Sequence, residues 1–156
     1  MGSIQKQEYM ENTTYNLSNR SALFEVAEEI EQDGYVNALV DLMKQALFNS
    51  KIEGVGLAAP QIGVSKRIII VWTTALQVVL INPVITRRRL GKYKSKERCL
   101  SFPDKIVPIK RDKQIIVEGF NQNWAPVKLK LRGLESYVVQ HEIDHLDGIT
   151  INNPRK

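Results

Sequence analysis

The segment Gln140–Leu146 reads QHEIDHL and contains the only two histidines of the chain, His141 and His145. On a helix, residues i and i+4 lie on one face, so both imidazoles can bind one metal ion. Glu142 directly follows the first histidine, and its carboxylate can reach a water beside that ion. This is the H-E-x-x-H arrangement of metal-dependent hydrolases, and it predicts a helix that carries a metal site.

The two histidines are expected to face the interior of the protein. Three apolar side chains recur at helical spacing on the same face: Leu134, Tyr137 and Val138. Two buried imidazoles without a polar partner would be costly, so a chance match with solvated charges is the weaker interpretation. The helix is predicted to run from about residue 133 to residue 147, because Gly148 supplies a stop signal.

Cys99 is the only cysteine, so no internal disulfide can form. Two imidazoles and one thiolate would give an ion three protein ligands and leave one position open, as in catalytic zinc-type sites. Such an ion would keep a net positive charge and could act as a Lewis acid. A plain buried thiol is the alternative. The histidine pair favours the ligand, because the ion would otherwise have only two soft donors.

The composition indicates one soluble globular domain. The chain has 156 residues, of which 43% are hydrophobic and 25% charged. We expect a flexible tail over residues 1–18 and a single domain over residues 19–156. The apolar runs at residues 68–72 and 78–81 are too short to span a bilayer, and no signal-peptide core opens the chain. A cytoplasmic protein without membrane or specific DNA contacts is expected, with an organellar or viral origin left open.

The net charge of +5 is unevenly distributed. Residues 1–33 carry seven acidic and two basic side chains, whereas residues 87–98 (RRRLGKYKSKER) carry seven basic and one acidic. A solvated hairpin is the plainer interpretation of the basic segment. The functional interpretation is a weak contact with RNA or another polyanion, such as the ribosome. No aromatic stripe interleaves the segment, so sequence recognition of nucleic acid is not expected.

Hydrophobic periodicity predicts an α+β fold with antiparallel β-sheets around a central helix that carries the metal ligands. Apolar residues at helical spacing predict a helix over 35–49, and a shorter helix is expected within 20–33. Valine- and isoleucine-rich segments predict four strands: Arg67–Thr73, Gln77–Thr86, Lys113–Phe120 and Ala125–Leu131. A helix, then strands, then the metal helix is typical of sheets packed around a buried helix.

Residues 54–61 read GVGLAAPQ and superficially fit the dinucleotide-binding pattern G-x-G-x-x-A. The segment follows a helix rather than a strand, and Pro60 would disrupt a helix that began there. No acidic residue follows as far as Lys96, so the ribose-binding acid is missing. A close-packed strand or turn, where small residues let another group approach the backbone, is the better interpretation. Gln61 then presents an amide donor.

Three motifs together resemble the peptide deformylase family. They are GVGLAAPQ at 54–61, ERCLS at 97–101 and QHEIDHL at 140–146. The family motifs are G-Φ-G-Φ-A-A-x-Q, with Φ apolar, then E-G-C-x-S and Q-H-E-x-D-H-L, in the same order. The resemblance covers roughly residues 36–151. It implies an α+β metal-dependent hydrolase that removes the N-formyl group from the formyl-methionine of newly synthesised polypeptides and releases formate.

The resemblance also implies roles for individual residues. The metal ligands would be Cys99, His141 and His145. The ion would usually be Fe(II), with Zn(II), Ni(II) or Co(II) able to replace it. Glu142 would be the general base and then the general acid, while the Gln61 side chain and the Leu100 backbone N–H would stabilise the oxyanion.

Five residues map to the substrate pocket, although they could equally be core: Val55, Gly56, Leu134, Tyr137 and Val138. Glu97 and Arg111 hold positions that pair in the family, with two weakly interacting surface charges as the alternative.

Arg98 departs from the family pattern, because it replaces the glycine that precedes the cysteine. If the backbone there needs a positive φ, arginine would strain the loop; otherwise Arg98 lines the entrance and contacts the peptide. The chain ends eight residues after Gly148, so a short variant without a C-terminal helix is expected. Two other functions remain as alternatives. One is a peptidase that cleaves internal bonds, and the other is a metal-binding homologue without catalysis, which Arg98 supports.

Overall fold

The computed structural model describes residues 21–32, 35–50 and 54–155, and it is an α+β fold. Its helices and strands are α1 (Val36–Phe48), β1 (Gly56–Ala58), β2 (Ile68–Trp72), β3 (Gln77–Cys99), β4 (Phe102–Phe120), β5 (Pro126–Arg132) and α2 (Leu134–Leu146). Two short 3-10 helices lie at Ser21–Phe24 and Ala59–Ile62. Across these described residues, no helix is both long enough and apolar enough to cross a membrane. The predicted tail over residues 1–18 lies outside the described residues.

The described strands form one five-stranded sheet in the order β1-β2-β3-β4-β5. Every neighbouring pair is antiparallel, which confirms the predicted architecture. Four of the five residues of β2 are buried, and its sequence IIIVW is accordingly a continuous apolar run rather than an alternating one. This strand lies between two helices, one on each face of the sheet.

Alternation along β2 directs its side chains to two different hydrophobic clusters. Ile68 and Ile70 pack with α1, whereas Ile69 and Val71 pack with α2. Six residues of α1 are buried: Val36, Leu39, Val40, Met43, Ala46 and Leu47. Full burial of a large aliphatic side chain contributes about 1.5–3 kcal/mol, so both helices are held mainly by packing against the sheet.

β3 and β4 are much longer than the strands predicted within them. β3 continues to Cys99 and β4 begins at Phe102. Together the two strands form a long hairpin that includes the basic residues 87–98. The predicted strands are shorter because most side chains of the basic segment are charged and exposed, so the segment lacks the apolar pattern that predicts a strand. The basic segment is therefore part of a hairpin with mostly exposed side chains, and the hairpin turn lies directly after Cys99.

The short helix expected within residues 20–33 is limited to a single turn in the described part of that segment. Only Ser21–Phe24 forms a 3-10 helix, and an extended stretch follows it. The Asn82 side chain accepts a hydrogen bond from Ile30 N at 2.9 Å and donates one to Ile30 O at 3.0 Å. A parallel bridge between Glu28 and Lys66 adds a second attachment. These long-range bonds to the backbone replace the local bonds that a helix would make.

Candidate metal centre and active site

Three buried side chains converge where the end of β3 meets α2. One ligand atom from each of Cys99, His141 and His145 lies within 4.8 Å of the other two. His145 Nε2 is 3.3 Å from Cys99 Sγ and 3.2 Å from His141 Nε2. The spacing of the histidines brings both imidazoles to one face of α2, as the sequence predicts. This arrangement has the donors of a tetrahedral site with one open position.

The electrostatics of these three groups suit a cation. Burial lowers the pKa of His141, but the neighbouring Cys99 thiol and Glu97 carboxylate outweigh burial and raise it to about 10. A positive charge is therefore stabilised between these groups. Burial, together with the charge of His141, holds the pKa of His145 well below its usual value, so this imidazole is neutral and can offer a lone pair. The residues thus fit a divalent metal ion.

A buried network of charged side chains orients His141. Glu97 Oε1 lies 2.9 Å from His141 Nδ1, which leaves Nε2 free to face the metal site. Arg111 donates two bonds to Glu97, at 2.8 and 2.7 Å, and a third to Asp144. Asp144 also accepts a 2.7 Å bond from Arg155. Burial opposes ionisation of Glu97, but the bonds from Arg111 and His141 lower its pKa, so the carboxylate stays charged.

Glu142 lies beside the metal ligands with one oxygen uncommitted. Its Oε2 is buried and has no hydrogen-bond partner among the residues that the structure describes. Burial raises the pKa of Glu142 to about 7, although the charge of His141 opposes this shift. A carboxyl group with a pKa near neutrality can both accept and donate a proton. Such a group next to a metal site is suited to general acid–base chemistry.

Gln61 is held so that its amide donor points toward the same centre. Its Oε1 accepts a 2.9 Å bond from Ala58 N, and this bond distinguishes the oxygen of the amide from its nitrogen. The Nε2 group therefore faces inward, 3.5 Å from Cys99 Sγ and 3.2 Å from Ser101 Oγ. The segment 54–61 forms β1 and the following 3-10 helix, as its small residues indicate. Sequence reasoning assigned no role to Ser101, although it belongs to the ERCLS motif.

A cavity of about 430 Å³ opens over Glu142 and His141. All six residues expected to contact substrate line it: Val55, Gly56, Arg98, Leu134, Tyr137 and Val138. Leu100, in the turn after β3, lines it too. Sequence reasoning missed Lys96 and Ile106, which also border the cavity. Ile106 comes from the irregularly paired start of β4, where no motif marks it.

The sequence profile of the family described as polypeptide deformylase matches residues 14–156, a range that includes every residue of the site. The chain belongs to the polypeptide deformylase family. It is a metal-dependent hydrolase that removes the formyl group from the N-terminal formyl-methionine of polypeptides. The α+β fold implied by the three motifs is likewise that of solved deformylase structures.

Individual deformylases resemble the chain over most of its length. The peptide deformylase of Thermodesulfovibrio yellowstonii is 41% identical over 131 residues, which cover 80% of this chain and 78% of that protein. The deformylase of the Vibrio parahaemolyticus bacteriophage VP16T, solved in complex with actinonin, superposes with a TM-score of 0.80 and 39% identity. That match covers 85% of this chain and 95% of the phage protein. The Thermotoga maritima enzyme gives a TM-score of 0.80 at 33% identity, covering 86% and 92%.

Arg98, which replaces a deformylase glycine, does not strain the backbone. Among the described residues other than glycine, positive φ angles occur only at Asn82, Leu90 and Trp124. The first explanation for a glycine at this position, a need for positive φ, is therefore wrong for this chain. The alternative of a homologue without catalysis loses its main support as a result. Arg98 is exposed and borders the cavity instead.

We expect Gly56→Ala to slow turnover at least tenfold without loss of the metal. A Cβ at this position would lie 2.8 Å from Glu142 Oε1 and 3.0 Å from Val138 Cγ1, so the carboxyl group must shift. A displaced catalytic group can cost about 10²-fold in rate. The measurement is kcat together with metal content. Gly119→Ala is the control, because its Cβ would meet Ile81 O at 2.8 Å, away from the site, and should lower stability rather than kcat. An unchanged kcat in Gly56→Ala would contradict the prediction.

Proposed function

We propose that Cys99, His141 and His145 hold one divalent ion and that Glu142 carries the proton during deformylation. The observation that supports this most directly is the convergence of three metal-type donors beside a buried carboxylate with an uncommitted oxygen. When bound, the ion would supply Lewis acidity toward the formyl oxygen and toward a water molecule. Glu142 accepts a proton from the attacking water and then passes it to the leaving amine.

Gln61 and Leu100 stabilise the negative charge that develops on the formyl oxygen. The Gln61 amide is preoriented by its bond from Ala58 N, so no reorganisation is needed when charge develops. The backbone N–H of Leu100 lies in the tight turn next to Cys99 and supplies the second donor. Preorganised donors of this kind act strongly in a buried site, because water does not compete with them.

The cavity accommodates the methionine side chain of the substrate. Its apolar wall is formed by five residues: Val55, Gly56, Leu134, Tyr137 and Val138. The closeness of Gly56 to Glu142 leaves little room at the reacting carbon. Formyl is the smallest acyl group, so the same crowding would reject an acetyl group. Arg98 lies at the entrance, where the peptide leaves the cavity.

Formate release from formyl-Met-Ala-Ser tests these assignments. The protein would be purified without oxygen, loaded with Fe(II) or Ni(II), and compared on acetyl-Met-Ala-Ser. We expect formate from the first peptide and no attack on the second. Actinonin, which the phage and Synechococcus elongatus structures contain, should inhibit the reaction. A folded, metal-loaded protein that releases no formate would overturn the proposal.

Fe(II) is the native ion in this proposal. One thiolate and two imidazoles also suit Zn(II), Ni(II) and Co(II), so the donor set alone does not select iron. A thiolate-ligated Fe(II) site should lose activity in air, with Cys99 the residue at risk of oxidation. Metal analysis of anaerobically purified protein, with activity followed during air exposure, tests this. Full activity after days in air would show that iron is the wrong metal.

A weak contact between the basic segment 87–98 and ribosomal RNA is also proposed, which fits a cytoplasmic enzyme that meets new polypeptides. Three of its exposed cations lie away from the cavity and have no ion pair among the described residues: Arg87, Arg89 and Lys94. Their joint replacement by glutamine should reduce cosedimentation with ribosomes at low salt, since phosphate contacts are salt-dependent. Replacement of Lys128 and Lys130, on β5, is the control. Equal cosedimentation of all variants would refute the contact.

Replacing Gln61 by leucine should lower kcat/KM by about 10²-fold, because one oxyanion donor is lost. The apolar side chain also leaves the Ala58 N–H unpaired, so the melting temperature must be measured alongside the rate. Gln61→Glu separates the two effects, because it keeps an acceptor for Ala58 N–H but removes the donor. Both variants are expected to retain metal. Near wild-type kcat/KM in Gln61→Glu would remove Gln61 from the proposed oxyanion site.

A further inference from the structure

The entrance of the cavity carries a pair of cations, Lys96 and Arg98, that the reaction itself does not use. Both residues are exposed and both border the cavity. Along β3 they alternate with Ser95, Glu97 and Cys99, which are buried. Because side chains alternate along a strand, the two cations point away from the metal ligands. They can therefore reach only the part of a substrate that extends beyond the formyl-methionine.

Nothing in the described part of the chain neutralises this cationic pair. Neither Lys96 nor Arg98 forms an ion pair there, although four other lysines and arginines of β3, β4 and β5 do so. The two carboxylates that line the cavity, Glu97 and Glu142, are buried. Glu97 is already bound to Arg111 and His141. Among the described residues that line the cavity, the exposed charged side chains are therefore these two cations, and both carboxylates are buried.

We propose that Lys96 and Arg98 make this enzyme prefer peptides with an acidic side chain shortly after the formyl-methionine. The inference rests on the proposed function of the site and adds a substrate class to it. A carboxylate on the emerging peptide meets two cations that have no ion pair among the residues that the structure describes. Exposed ion pairs change equilibrium constants by about 1.5- to 5-fold each, and these factors multiply, so two cations should give a preference of roughly two- to 25-fold.

The preference should appear in KM and should depend on salt. Exposed charges attract a ligand during encounter and binding, and they are largely screened at high ionic strength. They do not touch the reacting carbon, so kcat for a bound peptide should change little between acidic and neutral sequences. The cationic entrance therefore selects the peptide rather than accelerating its hydrolysis.

Matched pairs of C-terminally amidated peptides test the proposal. Formyl-Met-Asp-Ala-Ser would be compared with formyl-Met-Asn-Ala-Ser, and formyl-Met-Ala-Asp-Ser with formyl-Met-Ala-Asn-Ser. We expect the Asp/Asn ratio of kcat/KM to be roughly two to 25 for at least one pair at low salt. The ratio should fall toward one in the double variant Lys96→Gln, Arg98→Gln and, for the wild type, in 0.5 M salt.

Lys110→Gln is the matched control, because Lys110 is an exposed cation on β4 of the same hairpin that does not border the cavity. It should keep the wild-type ratio. A ratio near one in the wild type, or a ratio that survives the double variant, would overturn the inference. An equal fall in Lys110→Gln would do so too, because the overall charge would then be responsible. If the Asn peptides themselves release no formate, the proposed function fails instead.

Discussion

Glu142→Gln should lower kcat by at least about 10²-fold while the metal stays bound, since general acid–base groups contribute about 10²–10⁴-fold. Glutamine keeps the size of the side chain but cannot take a proton from water. The buried Oε2 of Glu142 has no protein partner in the described structure, so its loss breaks no hydrogen bond. The variant should therefore fold normally and retain Cys99, His141 and His145 as ligands.

Single-turnover formate release and metal content together test this expectation. Glu135→Gln is the matched control, because Glu135 lies on the same helix and only accepts a bond from Thr73, which glutamine can also accept. That variant should keep wild-type kcat. If Glu142→Gln retains more than a tenth of the wild-type rate with full metal content, another group carries the proton. Loss of metal in Glu142→Gln would instead mean that the carboxylate is a ligand.

The parts of this fold that the sequence predicts are those where local pattern and burial coincide. α2 carries His141 and His145, the proposed ligands, at i and i+4, and its predicted end at Gly148 is confirmed, because the helix ends at Leu146 and Gly148 has a φ of +72°. β2 is buried on both faces, so its continuous apolar run was already visible. The predicted β2 and α2 agree with the structure because the pattern that predicts each of them lies among residues close together in sequence.

The parts that the sequence did not predict depend on distant residues. β3 and β4 stabilise each other along a hairpin whose side chains are mostly charged, so neither strand shows an apolar pattern by itself. Asp144 was an unassigned motif residue, and its partners Arg111 and Arg155 are apparent only in three dimensions. Whether Glu97 and Arg111 were a buried pair or two surface charges was open for the same reason.

Arg111→Met is expected to destabilise the metal-free protein by about 3–5 kcal/mol, because it removes the guanidinium that two buried carboxylates share. Arg111 donates to both Glu97 and Asp144, and all three side chains are at least nine-tenths buried. Methionine fills much of the volume, so the loss reports charge rather than packing. Released from Arg111, Glu97 should also hold His141 less firmly, which would weaken metal binding by about 10–100-fold.

Denaturant unfolding of the metal-free protein and metal titration of the folded protein measure the two effects separately. Lys128→Met is the matched control, because it breaks the exposed pair with Glu118 and should change the free energy of unfolding by less than about 0.5 kcal/mol. Adding Glu97→Gln to Arg111→Met should recover part of the lost stability, since one uncompensated charge is removed. A loss below about 1 kcal/mol in Arg111→Met would mean that water or Arg155 replaces the missing guanidinium, and that the network orients His141 without stabilising the fold.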